Sequence, residues 1–193
     1  MEINKNSEYE IISKIKEGQT SEFKVLVDKY KAVSFSLACS ILKNEQDAED
    51  ALQESFIKAF KSLSNFNFDS SFSTWFYKIV VNTCKTKYSK QRRVNQFINF
   101  NSNLRIDITE NNTPLSKIDK KERGQLVNKI LDVLKPDESL LLRLFYLAEL
   151  NIKEIVSVTD FTESKVKVTL LRARNNFKEN FEKMYGTEIT TLS

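Results

Sequence analysis

Turn residues are scarce in this sequence, and that scarcity limits the folds open to it. Only three Gly and two Pro occur among 193 residues, whereas ordinary proteins contain about 7% Gly and about 5% Pro. A protein of many strands needs such residues at its hairpins, because they supply the backbone angles of tight turns. Helices joined by short polar loops do not need them. Since 40% of the residues are hydrophobic and can form cores, we predict an all-α fold.

The spacing of apolar residues predicts where the helices of the N-terminal half lie. Apolar residues recur every three or four positions along a long helix that starts at Phe23. A second helix begins at Asp47, which we interpret as its N-cap residue. A third helix begins between Ser70 and Ser73 and ends at about Arg93.

Asparagine-rich sequence separates this half from a second helical half. Residues 95–121 accumulate asparagine and lack apolar periodicity, so we predict a polar, flexible linker there. Helical spacing resumes beyond it. The predicted architecture is therefore two helical domains, residues 8–94 and 122–185, with the linker between them.

Charged residues are segregated along the chain although the net charge is only +4. The segment from Glu45 to Glu54 contains five acids and no base, and the segment from Lys85 to Arg93 contains five bases and no acid. Blocks of opposite sign suit two partners of opposite charge. Two ordinary solvated faces explain the same composition, so both interpretations stay open at this point.

The residue types present argue against an enzyme. Histidine is absent, which removes the commonest proton shuttle at neutral pH and the commonest metal ligand. Catalysis would need a carboxylate pair such as Asp47 with Asp50 or Glu54, which share a helix face. No second helix offers the matching ligands of a carboxylate metal site. We therefore predict no catalytic residues, no metal and no cofactor.

Cysteine usage and the N-terminal residues predict a cytoplasmic protein. Cys39 and Cys84 are isolated among apolar neighbours, so we expect two buried free thiols in a reducing compartment, with a disulfide as the alternative. The N-terminal segment is polar and acidic, unlike a signal peptide. No apolar run approaches the length of a membrane span, so we expect no span of the chain's own.

The C-terminal half has the spacing of a helix-turn-helix. Ile155 and Val158 on one helix would pack against Val166 and Leu170 on the next, across a short turn centred on Asp160. A major groove admits one helix, whose early residues reach base edges while flanking basic residues hold phosphates. The residues that this second helix would present to DNA are Ser164, Lys165, Lys167, Val168, Leu171, Arg172, Arg174 and Lys178. An ordinary helical hairpin with a basic face is the alternative.

A polar segment with aromatic residues precedes the third predicted helix. Two phenylalanines stand there among three polar residues: Phe66, Asn67, Phe68, Asp69 and Ser70. Aromatic rings backed by positive charge are suited to hold unstacked bases of single-stranded DNA, and polar groups can read a base edge. The alternative is that Phe66 and Phe72 close a small core.

Three motifs together resemble the extracytoplasmic-function family of RNA polymerase sigma factors. Residues 66–82, FNFDSSFSTWFYKIVVN, are similar to the promoter-melting segment of that family. Residues 47–60, DAEDALQESFIKAF, resemble its helix that docks on the polymerase clamp. Residues 154–174 resemble its fourth-region helix-turn-helix. The motifs occur in the family's order and spacing, so the resemblance covers nearly the whole predicted folded chain.

The resemblance implies a function and its partners. The first domain would be sigma region 2 and the second would be sigma region 4. The chain would bind the clamp and flap of core RNA polymerase and direct promoter recognition, promoter melting and transcription initiation. It would also be controlled by an anti-sigma factor.

The resemblance also assigns residues to these roles. Clamp contacts would come from Asp47, Asp50, Gln53 and Glu54. A base flipped out of the minus-ten element would meet Phe66, Asn67, Phe68, Asp69, Ser70, Lys78 and Asn82. The neighbouring duplex backbone would meet Lys85, Lys87, Lys90, Arg92 and Arg93. The helix that starts at Glu163 would read the minus-thirty-five element with the outward residues given above.

The sequence departs from the family's usual pattern at several positions, and one alternative function stays open. Ser139 stands where the family usually has Arg, and Asp160 stands where the turn often has Gly; Asp tolerates turn geometry. The alternative function is a helix-turn-helix regulator that acts without replacing sigma. It would explain the second half, but neither the aromatic segment nor the acidic helix.

Overall fold

The structure is a computed structural model that describes residues 5–99 and 120–189, with the side chains of residues 8–93 and 124–184. Within these ranges the chain forms eight α-helices and no strand, so the predicted all-α fold is confirmed. The helices are α1 (Lys5–Lys16), α2 (Phe23–Leu42), α3 (Glu45–Ser62), α4 (Phe72–Asn99), α5 (Lys120–Val133), α6 (Pro136–Leu142), α7 (Ile152–Thr159) and α8 (Glu163–Ile189). Most of the predicted linker lies outside the described residues.

The first four helices form the N-terminal half. Helices α2, α3 and α4 pack on one another, and their apolar faces form a fully buried core that includes Leu26, Leu37, Ala48, Phe76 and Val80. Each large side chain in such a core contributes about 1.5–3 kcal/mol of burial free energy. Helix α1 lies against this bundle through the buried side chains of Ile12 and Ile15.

The start of α3 differs from the sequence prediction. Lys43 ends α2 in the left-handed conformation, with φ 54°. Asn44 is then the N-cap residue, because it is extended and its side chain accepts a hydrogen bond of 2.9 Å from the backbone N–H of Asp47. The prediction that Asp47 is the N-cap was therefore wrong. Asp47 lies in the first turn, where the helix dipole favours its negative charge.

Helix α4 is longer than its apolar pattern predicted. It continues to Asn99 instead of ending at about Arg93. No Gly or Pro interrupts residues 93–99, so the backbone has no reason to leave the helix where the apolar stripe ends. The basic residues near Arg93 therefore lie inside a continuous helix and not at its end.

The predicted helix-turn-helix is confirmed by the packing of the C-terminal half. Helix α7 begins with a capping box, in which the side chains of Asn151 and Glu154 each bond to the other's backbone N–H. It ends at Asp160, which has a left-handed φ of 60°. The four predicted packing residues are all buried between α7 and α8: Ile155, Val158, Val166 and Leu170.

The two halves contact each other directly. Helix α6 and the π-helical segment that follows it (Arg143–Leu147) lie against α2, and α7 lies against α4. Arg143 is only 2% exposed at this junction. Its guanidinium donates to Ser36 Oγ of α2 (2.7 Å), to Ser139 Oγ and to Asp132 Oδ1 (2.9 Å). A buried cation thus joins the two halves with its charge paired.

Candidate functional site

The acidic residues of α3 and the basic residues of α4 meet each other. Lys87 Nζ lies 3.1 Å from Asp47 Oδ1 and 3.0 Å from Asp50 Oδ2. Gln91 Nε2 donates to the other Asp47 oxygen at 2.7 Å. The hydrogen bonds from Gln91 and then Lys87 lower the pKa of Asp47. The sequence suggested separate partners for the acidic block and the basic block. In the structure the two blocks partly neutralise each other within the chain.

The rest of the acidic face is open to solvent. Gln53 and Glu54 are exposed on α3. Glu54 pairs only with Lys58 one turn later, at 2.7 Å, and both side chains are about half exposed. Such a surface pair contributes little stability and leaves the carboxylate free to exchange partners. Asp47 is less accessible than the other two predicted clamp acids, since its side chain is 28% exposed against 65% for Asp50 and 56% for Glu54.

The aromatic segment forms a folded loop between α3 and α4. Phe66 is 3% exposed and Phe72 is 3% exposed, and Phe66 packs on Phe72 and Trp75 with ring centroids 5.9 and 5.0 Å away. These two rings close the core, as the alternative interpretation proposed. The polar residues Asn67, Asp69 and Ser70 are exposed, so the loop presents hydrogen-bonding groups to solvent above an aromatic floor.

Phe68 has an unusual backbone within this loop. Its φ is 62°, a left-handed conformation that costs a bulky residue about 1–3 kcal/mol unless its surroundings hold it. Its half-buried ring lies against Tyr9 of α1 at a centroid distance of 4.4 Å and against Phe66 at 4.9 Å. Lys16 Nζ lies 5.1 Å from the same ring centroid. Tyr9 and Lys16 were not predicted as site residues, because 50 or more residues of sequence separate them from the loop residues that they contact.

Helix α4 begins directly after the loop, and its first turn contacts the C-terminal half. Ser71 Oγ accepts from the backbone N–H of Thr74 at 3.2 Å and so caps the start of α4. Thr74 Oγ1 donates to Glu154 of α7 at 3.2 Å. The first turn of α4 is therefore fixed by a serine on one side and by the helix-turn-helix on the other.

The lysines further along α4 lie beside the turn of the helix-turn-helix. Lys78 and Lys85 each lie 3.9 Å from a carboxylate oxygen of Asp160, and Lys85 Nζ also donates to the backbone carbonyl of Thr159 at 2.7 Å. Asn82 is exposed between them. Lys90, Arg92 and Arg93 are exposed near the end of α4. The predicted minus-ten residues therefore lie along one loop and one helix. Lys78 and Lys85 have partners within the chain, whereas Asn82, Lys90, Arg92 and Arg93 are exposed.

The outer face of α8 is open. Val168 is 52% exposed and Leu171 is 61% exposed, and Ser164, Lys167 and Arg172 are exposed beside them. Lys167 pairs with Glu163 at 2.5 Å, and this hydrogen bond lowers the pKa of Glu163. This surface combines two exposed aliphatic residues with basic residues, and the ion pair of Lys167 is a local one. A DNA groove could take the place of the solvent that covers it.

Three further bases of this half have partners next to the open face. Lys165 Nζ lies 3.1 Å from Asp137 and 3.4 Å from the ring centroid of Phe161. Arg174 Nε donates to Tyr146 Oη at 2.9 Å. Lys178 is 3.8 Å from Glu182 and is mostly exposed. Each of these three bases therefore has a partner within the C-terminal half.

Comparison with known proteins identifies the family. The family described as Sigma-70 region 2 matches residues 26–94. The chain is 30% identical to the ECF RNA polymerase sigma-E factor of Salmonella typhimurium, over 85% of this chain and 88% of the relative. This chain is an extracytoplasmic-function sigma factor. It is also 27% identical to the RNA polymerase sigma-H factor of Pseudomonas aeruginosa, over 89% of this chain and 92% of that relative.

Solved structures have the same fold as this sigma factor. The structure of CnrH in complex with the cytosolic domain of CnrY matches with a TM-score of 0.60 and 18% identity, over 90% of this chain and 96% of that chain. The sigma factor RpoE in complex with the anti-sigma factor NepR from Bartonella quintana matches with a TM-score of 0.63 and 20% identity, over 82% and 95% of the two chains. Family membership confirms the predictions that the chain is a sigma factor and not an enzyme, and it does not favour the independent regulator.

Three further features concern the cysteines, the possible metal ligands and the possible membrane spans of this sigma factor. Cys39 and Cys84 are free, and burial raises the pKa of their thiols to about 11 and about 12. The residues that the structure describes contain no group of three or more side chains able to hold a metal ion. None of the described helices is long and apolar enough to cross a membrane.

Proposed function

We propose that this sigma factor acts in the cytoplasm, where it binds core RNA polymerase and directs promoter recognition, promoter melting and transcription initiation. One observation carries the proposal: a single chain contains both an aromatic loop that leads into a basic helix and a helix-turn-helix with an open outer face. The first suits melted DNA and the second suits duplex DNA. We assign residues 8–94 to region 2, residues 122–185 to region 4 and residues 95–121 to the linker.

The clamp of the polymerase would bind the acidic face of α3. Gln53 and Glu54 are available on this face without any change in the chain. Asp47 and Asp50 are paired with Lys87, so a basic clamp residue would have to share or displace that lysine. We expect the exposed pair to contribute to docking first, because its desolvation cost is smaller.

The minus-ten element would bind the loop and α4. Flipping a base out of the duplex costs a few kcal/mol, which hydrogen bonds from Asn67, Asp69 and Ser70 would offset. Lys78 and Asn82 would border the same base, and the phosphates of the adjacent duplex would meet the basic residues Lys85, Lys87, Lys90, Arg92 and Arg93. Since Phe66 is buried, its part would be to support the floor of this site.

The minus-thirty-five element would bind the outer face of α8. Ser164, Lys165 and Lys167 lie in its first turns, where the residues of a recognition helix reach base edges. Val168 and Leu171 would contact thymine methyl groups. Arg172, Arg174 and Lys178 would bind the flanking phosphates.

An anti-sigma factor would hold this protein inactive. The solved sigma factor RpoE is bound to an anti-sigma factor, and this chain has the same fold. Co-purification of the protein from its host under non-inducing growth should recover a second protein in addition to polymerase subunits. Recovery of polymerase subunits alone would contradict anti-sigma control.

In-vitro transcription from a promoter library tests the proposed function. Bacterial core polymerase is used with and without this protein. We expect transcripts only when the protein is present, from promoters that share two spaced sequence elements. If the protein instead binds specific DNA without polymerase and never starts transcription, the independent regulator is the better account.

A further inference from the structure

Helix α1 is fixed against the bundle and presents two side chains to the minus-ten loop. Ile12 and Ile15 anchor it in the core. Glu8, which is 9% exposed, accepts hydrogen bonds from Tyr30 Oη at 2.5 Å and Lys29 Nζ at 2.9 Å, both on α2. A helix held at several points along its length is a rigid platform for the residues on its neighbouring face.

Tyr9 and Lys16 lie on that face, two helical turns apart, and both contact the loop. The Tyr9 ring lies 4.4 Å from the Phe68 ring, centroid to centroid, at an interplanar angle of 37°. Lys16 Nζ donates to the backbone carbonyl of Phe66 at 2.6 Å and lies over the Phe68 ring at 5.1 Å. Together they brace the residue whose φ is 62°.

The loop's own phenylalanines have little aromatic surface to offer to a base. Phe66 is 3% exposed. Phe68 is half buried, with Tyr9, Phe66 and Lys16 against its ring. Phe68 and Trp75 are partly exposed, whereas Tyr9 is 56% exposed, so the most exposed ring of this aromatic cluster belongs to α1.

We propose that α1 completes the single-stranded DNA site, with Tyr9 offering its exposed ring to an unpaired base of the melted strand and Lys16 holding the loop in the shape that receives the flipped base. This inference rests on the proposed promoter-melting function. Tyr9 touches DNA, whereas Lys16 acts as a positioning residue through the carbonyl of Phe66. Aromatic stacking accepts any base, so Tyr9 contributes affinity and not sequence preference. Lys16 contributes preference, because it fixes the groups that read the base edge.

The test uses holoenzyme assembled from core polymerase and the full chain. A non-template strand carries the fluorescent base 2-aminopurine at each minus-ten position in turn, and quenching reports stacking. We expect one position to be quenched by the wild type and by Tyr9→Phe, but not by Tyr9→Leu. Open-complex formation by Tyr9→Leu should fall about 5- to 100-fold, the value of one stacking contact.

Lys16 is tested by base preference. Lys16→Ala should flatten the preference among the four bases at the flipped position and leave the minus-thirty-five preference unchanged. Lys14→Ala removes an exposed lysine from the same helix and should change neither. A merely structural loss would lower transcription at all promoters alike and would lower the melting temperature of the protein.

The failure of this inference is distinguishable from the failure of the proposed function. If wild-type holoenzyme transcribes and Tyr9→Leu quenches 2-aminopurine and opens promoters as the wild type does, Tyr9 has no role in DNA binding. If Lys16→Ala keeps the wild-type base preference, Lys16 does not position the loop. If wild-type holoenzyme does not transcribe from any promoter, the proposed function itself is wrong.

Discussion

Two basic helices in this sigma factor face different surroundings, although both are assigned to DNA. On α4, the lysines at positions 78, 85 and 87 all have partners from other helices or from the turn before α8. On the outer face of α8, Lys167 has only a local partner, and Val168 and Leu171 are open to solvent. The difference follows from position, because α4 lies at the junction of the two halves and the outer face of α8 does not.

The position of α4 at the junction affects how this helix can bind promoter DNA. Lys85 Nζ uses one of its three N–H groups on Thr159 and lies beside Asp160, so a phosphate at this lysine would compete with these contacts. We therefore expect minus-ten contacts on this part of α4 to be favoured when the two halves separate, whereas Val168 and Leu171 of the proposed minus-thirty-five face are exposed in the arrangement described here. The ion pairs of Asp160 are 3.9 Å long and half exposed, so each contributes about 1 kcal/mol at most. Separation would also break the packing of α6 on α2 and of α7 on α4 and the Arg143–Ser36 hydrogen bond, so binding of polymerase and promoter DNA would have to offset these contacts as well.

The largest expected effect comes from breaking the junction at Arg143. Arg143→Ala removes three hydrogen bonds of a buried cation and leaves a cavity, so we expect a loss of about 3 kcal/mol in the free energy of unfolding. Urea denaturation measures this loss. Asp28→Asn is the control, because its ion pair with Lys31 lies on the surface, with side chains 53% and 59% exposed, and its loss should cost under about 1 kcal/mol. Equal stability of Arg143→Ala and the wild type would contradict the role of this residue at the junction.

The open face of α8 predicts a loss of sequence recognition. Lys167→Ala should weaken binding to the minus-thirty-five element by about 1–3 kcal/mol if Lys167 contacts a base edge. Competition binding with mutated elements measures whether the loss depends on sequence. Lys178→Ala is the comparison variant, since a phosphate contact should weaken all sequences alike and reduce the salt dependence. A uniform loss for Lys167→Ala would make it a phosphate contact as well.

The smallest expected effect comes from the charge of Asp160. Asparagine also tolerates the left-handed conformation, so Asp160→Asn removes the charge and keeps the turn. Loss of both ion pairs should favour separation of the halves by about 1 kcal/mol and raise binding of single-stranded minus-ten DNA up to about fivefold. Asp137→Asn breaks the Lys165 pair within one half and should have no such effect. Small-angle scattering that finds the same radius of gyration for Asp160→Asn and Asp137→Asn would argue against this role.

The sequence predicted the fold well wherever local signals determine it. The spacing of Ile155, Val158, Val166 and Leu170 depends only on helical periodicity, and all four are buried as expected. The cap of α3 was misassigned because Asn44 and Asp47 are both good N-cap residues. The feature that distinguishes them is the left-handed turn at Lys43, and the residue type does not reveal it.

The candidate site was harder to predict, because its contacts join distant parts of the chain. Lys87 meets Asp47 across 40 residues, and Lys85 meets Thr159 across 74 residues. Charge blocks in a sequence indicate partners of opposite sign, but they do not reveal that the partner is another block of the same chain. Likewise, no sequence signal marked Phe68 as the residue with a positive φ, so the brace that α1 supplies could be found only in three dimensions.

Zero-length carbodiimide cross-linking can show whether the turn of the helix-turn-helix covers the lysines of α4, because it joins lysines only to carboxylates that they contact. In the free protein we expect amide links from Lys78 or Lys85 to Asp160, identified by mass spectrometry, together with the Lys165–Asp137 and Lys87–Asp50 links inside each half. When core polymerase and promoter DNA are added, the links to Asp160 should disappear while the free protein in a parallel sample keeps them. If the free protein forms the Lys165–Asp137 link but none to Asp160, the minus-ten surface of α4 is not covered by the helix-turn-helix and the account is contradicted.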